Sequence, residues 1–168
     1  MGGDNLLPEV IGKDSPEGKA ASEKRGEIFK QKYLPTLKPF PGVRTLLQRL
    51  HDDGLILIIS SSAKEDELDA LLKIAGVADL VDAQTSSDDA ENSKPDPDLI
   101  RIALDKGKLS AGEAVMLGDT PYDIEAAQKA GVPAIAFRCG DWSDRDLAGA
   151  LAIYDGPADL LASDFFCS

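Results

Sequence analysis

Short apolar runs spaced by amphipathic stretches constrain this chain more tightly than any other feature. Leu55-Ile56-Leu57-Ile58-Ile59 is unbroken and rich in β-branched residues, which is how a strand buried on both faces reads. Ala114 to Leu117, stopped by Gly118, and Ala134 to Phe137 are further apolar runs of strand length. A short strand is expected around Leu80 to Ala83, and a weak last one at Ala152 to Tyr154. The stretches between them have helical spacing. Leu46, Leu47 and Leu50 share one face of a helix from Val43 to Asp53. Lys64 to Ala75 is a second helix, ended by Gly76. Asp98 to Lys106, Pro121 to Ala130 and Ala158 to Ala162 follow, with Gly131 capping the carboxyl end of the Pro121 helix. Strands alternating with helices predict an α/β fold with a parallel sheet and right-handed crossovers.

The first forty residues have a different character. Ser15-Pro16-Glu17 reads as a helix start, with Ser at the N-cap, Pro at the first helical position and an acid in the first turn. Ala20, Ala21, Ile28, Phe29, Tyr33 and Leu34 give a loose apolar face. Residues 1–37 are therefore expected to form a small helical piece, joined through a Pro-rich hinge at Pro35 to Gly42. With 168 residues the chain can bury one real core but not two comfortable domains.

A formal net charge of −12 repels phosphate backbones and anionic lipid, so neither nucleic acid nor membrane is an expected partner. No apolar run approaches the ~18 residues of a membrane span. Met1 to Asn5 carries no basic segment of a secretory signal. Cys139 and Cys167 have neither metal-binding nor redox spacing, which fits a reducing, cytoplasmic compartment. His51, the only histidine, reads as a helix-surface residue, so histidine chemistry is poorly supported.

In open parallel sheets, ligands sit beyond the carboxyl ends of the strands. Ser60, Ser61 and Ser62 follow the first strand, where a hydroxyl or backbone N–H can bind a phosphate oxygen. Taken alone, a cap for the helix at Lys64 is the plainer reading. Ser93-Lys94-Pro95-Asp96-Pro97-Asp98 ends a polar loop, and Pro95 and Pro97 stiffen the backbone beside Lys94. A lysine held in place can balance phosphoryl charge; an ordinary solvated loop lysine is the plainer reading. Gly118-Asp119-Thr120-Pro121-Tyr122-Asp123 sets one carboxylate at a strand end and another in the first helical turn. That spacing suits Mg²⁺, although Thr120 and Asp123 could also make a capping box.

These segments, all at strand ends and in this order, resemble the haloacid dehalogenase (HAD-like) superfamily, in the subgroup of phosphoglycolate-phosphatase and β-phosphoglucomutase relatives. Ser61 is similar to the serine of the family's second motif, Ser93 to Pro97 to its lysine motif, and Gly118 to Asp123 to its acidic fourth motif. Phe40-Pro41-Gly42-Val43 looks like the return from cap to core. The resemblance implies a Rossmann-like core over 43–168 and a partial helical cap over 1–37. It implies a small phosphorylated metabolite as substrate and a phospho-aspartyl intermediate. Asp119 and Asp123 would hold Mg²⁺, Lys94 would balance charge, and Ser61, Ser62 and Lys94 would bind the phosphoryl group.

The family's first motif, an apolar strand followed by Asp-x-Asp, has no counterpart here. Asp96-Pro97-Asp98 follows no strand, Asp144-Arg145-Asp146 follows a turn, and Asp4 follows two glycines. The expectation is that the central core strand and opening cap helix are missing, through an internal start or a truncated gene, and that the chain as written is inactive. A β-phosphoglucomutase-like phosphomutase and a non-catalytic remnant binding phosphate or a partner protein are the alternative readings. A lost central strand bares backbone groups on both its neighbours, at ~1 to 3 kcal/mol for each one left buried and unpaired. The flanking strands are therefore expected to close and pair, or another chain to fill the gap by self-association through exposed sheet edges.

Overall fold

The computed structural model describes residues 16–90 and 94–166. The N-cap Ser15, the start at Met1 to Asn5, Ser93 of the lysine loop and Cys167 lie outside them. Helix α1 (Pro16–Ile28) runs on into a π-helix (Phe29–Tyr33) and a 3₁₀ turn (Leu34–Thr36). The α/β part follows as α2 (Val43–Asp52), β1 (Ile58–Ser60), α3 (Glu65–Ala75), β2 (Ala83–Thr85) and α4 (Asp98–Gly107). It continues with β3 (Met116–Gly118), α5 (Pro121–Ala130), β4 (Ala134–Phe137), β5 (Ala152–Tyr154) and α6 (Pro157–Ala162). Among the described residues no helix is long and apolar enough to cross a membrane.

Every strand pairing is parallel, as the alternation of elements predicts. Ile58, Ile59 and Ser60 of β1 face Ala83, Gln84 and Thr85 of β2. Met116 to Gly118 of β3 face Ala134 to Ala136 of β4, whose Ile135 to Phe137 face Ala152 to Tyr154 of β5. The strands fall into two sheets, β1-β2 and β3-β4-β5. β1 and β3 are not hydrogen-bonded to each other, so the expected closure by direct pairing does not occur. Their short length has the same cause. Among the described residues each has a ladder on one edge only, and pairing rather than apolar sequence sets how far a strand runs. Leu55 and Ile56, expected inside β1, are 45% and 49% exposed. The second strand begins at Ala83, and Leu80 instead plugs the core from a turn.

Helices on both faces hold the half-sheets in one body. β4, flanked on both edges, is buried along its whole length and shows the two-residue period directly. Ala134 and Ala136 pack with Ile100 of α4 and with Ile124, Ala126 and Ala127 of α5. Ile135 and Phe137 pack on the opposite face with Leu46 and Leu50 of α2 and Leu160 of α6. This second cluster also takes Leu57, just ahead of β1, with Leu117 of β3 packed against it, so it spans both sheets. On the other face α4 touches β1, β2 and α5.

The N-terminal helical segment lies less deeply than its apolar residues suggested. Ala20 is exposed, and Ile28 and Tyr33 are 38% and 57% exposed. An ion pair between Lys30 and Asp66 of α3 ties the segment down. The return into α2 depends on Gly42, which has φ 79° and leaves no room for a side chain: an added Cβ would lie 2.9 Å from Ala158 Cα. His51 is exposed on α2, as expected.

Candidate active site

The carboxyl ends of β1 and β3 are linked by one ammonium group. Lys94 Nζ donates to the Ser60 carbonyl at the end of β1 (2.9 Å) and to Asp123 Oδ1 in the first turn of α5 (2.8 Å). Both side chains of the ion pair are nearly buried, at 12% and 10% exposure. The loop lysine is thus not the solvated one of the plainer sequence reading.

Asp123 carries two roles at once. Its Oδ2 accepts from the Thr120 hydroxyl (2.8 Å), the Thr120 N–H (3.1 Å) and the Asp119 N–H (3.3 Å). Thr120 Oγ1 accepts in turn from the Asp123 N–H, completing the capping box at the start of α5. Burial pushes the Asp123 carboxyl up. The Lys94 charge and the hydrogen bonds from Lys94, Thr120 and the Asp119 N–H outweigh it and hold the group below the usual carboxylate range. Gly118 makes room for this arrangement, since a Cβ there would lie 2.5 Å from Asp123 Cβ.

Asp119 behaves in the opposite way. Burial and the neighbouring Asp123 charge push its carboxyl up, only partly offset by its backbone hydrogen bond and by Lys94. It is a negative charge held where the protein does not fully compensate it. The turn after β4 (Arg138–Gly140) closes the other side of Asp119. A side chain at Gly140 would collide with the Asp119 carbonyl. Burial and then Asp119 raise the free Cys139 thiol. Sequence reasoning overlooked this turn, although its place after β4 follows the same strand-end rule that flagged the others.

Ser61 extends β1 by one residue: its N–H donates to the Thr85 carbonyl. Its hydroxyl accepts from the Ala63 N–H (3.1 Å), a local turn ahead of α3. Neither Ser61 nor Ser62 is the helix cap; Lys64 occupies that position, and Asp88 Oδ2 accepts from the Glu65 N–H. Both Asp-x-Asp pairs within the described residues have local structural partners. Asp96 accepts from the Asp98 N–H, Asp144 pairs with Arg138, and Asp146 accepts from Ser143. Among the described residues no group of three or more His, Cys, Asp or Glu side chains is gathered as a metal cage.

The family model for haloacid dehalogenase-like hydrolases matches residues 9–137. The chain is 32% identical over 156 residues to the phosphoglycolate phosphatase of Rhodospirillum rubrum, covering 89% of this chain and 64% of that protein. It is 33% identical over 118 residues to the phosphoglycolate phosphatase of Vibrio cholerae, covering 70% of this chain and 52% of that protein. Among solved structures it is similar to a hydrolase from Pseudomonas syringae, with a TM-score of 0.83 and 28% identity over 94% of this chain and 72% of that one. The chain thus spans just under two thirds of the length of the first of these relatives and about half of the second.

Proposed function

The chain belongs to the haloacid dehalogenase-like hydrolase family, and from that premise we propose that its strand-end cluster is a phosphatase-type site for a small phosphorylated metabolite. The observation that carries this reading is the Lys94 ammonium, fixed between the last carbonyl of β1 and the first-turn carboxylate of α5. A cation held there without freedom to reorganise balances charge on a phosphoryl group. Ser61 and Ser62, at the end of β1, would donate to phosphoryl oxygens. The Ser61 hydroxyl already accepts a bond from Ala63 and so keeps its own proton to give.

The donor set fits Mg²⁺ through Asp119 first. A carboxyl pushed up by burial and by Asp123 is one that a divalent cation stabilises in its ionised form. Asp123 would hold the Asp119 backbone and Lys94 in place, since both of its oxygens already accept hydrogen bonds. It would offer the ion only a remaining lone pair of Oδ1. The bound ion would neutralise charge on the phosphoryl oxygens.

A phospho-aspartyl intermediate requires a carboxylate free to attack phosphorus. Asp123 is committed to its ion pair and capping box, both described Asp-x-Asp pairs serve local structure, and Asp119 is the carboxylate that the Mg²⁺ reading uses. We therefore expect the chain as written to bind phosphate without turning it over. With Mg²⁺ present, phosphoglycolate, sugar phosphates and p-nitrophenyl phosphate should give no rate above blank. Titration with inorganic phosphate and Mg²⁺ should show binding that Lys94→Met abolishes. Turnover that disappears in Asp119→Ala would sink the account of the missing nucleophile. Phosphate binding indifferent to Lys94→Met would remove the phosphoryl reading itself.

A further inference from the structure

Asp119 is walled on two sides. On one, its N–H donates to Asp123 Oδ2 at 3.3 Å. On the other lies the turn after β4. Gly118 pairs in register with Ala136, so Asp119 and the turn that starts at Arg138 leave neighbouring strands side by side. A Cβ added at Gly140 would stand 2.2 Å from the Asp119 carbonyl oxygen and 3.1 Å from Asp119 Oδ2. The backbone of the turn therefore backs onto both the main chain and the carboxylate of Asp119, and no side chain fits between them.

The same turn carries the most connected guanidinium among the described residues. Arg138 Nε and Nη2 donate to Asp144 Oδ1 (2.6 Å) and Oδ2 (3.0 Å), and Nη1 donates to Asp155 Oδ1 (2.7 Å). Asp144 belongs to the loop after the turn, where Ser143 and Asp146 hydrogen-bond each other. Asp155 follows β5, and its N–H donates to Asp159 of α6. One side chain thus ties the turn to its own following loop and to the junction between β5 and α6. The turn is closed by the Asp141 N–H on the Arg138 carbonyl (3.0 Å), with Asp141 left-handed at φ 62°.

This cluster is poorly placed to stabilise the fold. Arg138, Asp144 and Asp155 are 38%, 62% and 80% exposed, and ion pairs in water add little. What a rigid guanidinium fork does supply, even at a surface, is direction. Mg²⁺ is the ion for which direction matters, because it demands near-octahedral ligand geometry.

We propose that Arg138 is a positioning residue for Asp119: its two-carboxylate clamp holds the Gly140 backbone against Asp119 and so fixes the direction in which that carboxylate meets a divalent cation. Arg138 acts through Gly140 and is not itself a ligand. The proposal rests on the Mg²⁺ reading of the site. It also runs against simple charge, since deleting a cation near a cation site should tighten binding.

The test uses the full chain and two measurements: the Mg²⁺ concentration at the midpoint of the thermal shift, and amide hydrogen exchange at Asp119 by NMR. Arg138→Lys keeps the charge and loses the fork; Arg138→Gln loses both. Arg44→Gln is the control, because Arg44 makes a bidentate, equally exposed pair with Asp79 on the other half-sheet. In both Arg138 variants the Mg²⁺ midpoint is expected to rise about tenfold or more and Asp119 exchange to quicken by a similar factor, with the metal-free Tm close to that of Arg44→Gln. Arg44→Gln should leave midpoint and exchange unchanged. Unchanged Asp119 exchange in Arg138→Lys, tighter Mg²⁺ binding in Arg138→Gln, or an equal loss in Arg44→Gln would each overturn the proposal. A native chain without any Mg²⁺ shift, together with faster Asp119 exchange in Arg138→Lys, would remove the metal reading and leave the clamp standing.

Discussion

Asp119 and Asp123, four residues apart, are driven in opposite directions, and this makes the site visible to a pH titration of stability. Asp123 has its carboxyl lowered in the folded chain, so its stabilising contribution is full above the ordinary carboxylate value near pH 4 and is lost as pH falls through the lower folded value. Asp119 is raised, so it contributes nothing below the ordinary value and becomes a cost as pH climbs from there through its folded value. Asp119→Asn is therefore expected to raise Tm at pH 7 and to leave it unchanged near pH 3, read by thermal melts across that range. An equal gain at both ends would mean that the carboxylate charge is not what strains the site. Mg²⁺ acts on the same charge. It should raise the Tm of the native chain at pH 7, and this rise should be absent in Asp119→Asn.

Two capping boxes separate what a helix start contributes from what the site contributes. Thr120 and Asp123 cap α5, and Ser110 and Glu113 cap the 3₁₀ turn before β3. Thr120→Ala and Ser110→Ala should each lower stability, by about 1 kcal/mol for the helix cap and less for the exposed 3₁₀ turn. Only Thr120→Ala also removes a donor from Asp123, so only that variant should soften the acid limb of the stability profile. Matching acid limbs in the two variants would show that Lys94 and the backbone N–H donors hold Asp123 down without the Thr120 hydroxyl. Elements were legible in the sequence where burial and pairing coincide. β4 and β5 have the expected bounds because their apolar residues are also the ones that pair. β1 slid toward its carboxyl end because an apolar run says nothing about which backbone groups find a ladder: Leu57 is buried without belonging to the strand, and Leu55 and Ile56 are exposed ahead of it. In the site, Lys94, Asp119 and Asp123 could be read because charged residues at strand ends stand out. The Ser60 carbonyl could not, since every residue has one, and Gly140 could not, since nothing in a lone glycine says that another backbone lies against it.

At the scale of the whole molecule, the two half-sheets have no backbone hydrogen bond between β1 and β3, so their cohesion rests on side-chain packing. One apolar cluster does most of this. Leu57 leads into β1, Ile135 and Phe137 belong to β4, and Leu46 and Leu50 of α2 lie across both. Leu46 is 2% exposed, and cutting it to Ala should cost about 2 to 5 kcal/mol, a large share of the ~5 to 15 kcal/mol that holds a domain folded. The loss should also fall on the joint between the halves rather than on either half. Trp142, the only tryptophan, sits beside Tyr122 with ring centroids 6.2 Å apart and packs on the α5 and β4 cluster. Its fluorescence therefore reports the β3-β4-β5 half, whereas far-UV circular dichroism reports all helices. In the native chain the two signals should change together during urea unfolding, as a single cooperative unit requires. In Leu46→Ala they should separate, with the dichroism falling first as the β1-β2 half and its α3 loosen ahead of the Trp142 half. Coincident transitions in the variant, at a lower midpoint, would place the cohesion elsewhere, in α4, which touches β1, β2 and α5 from the opposite face.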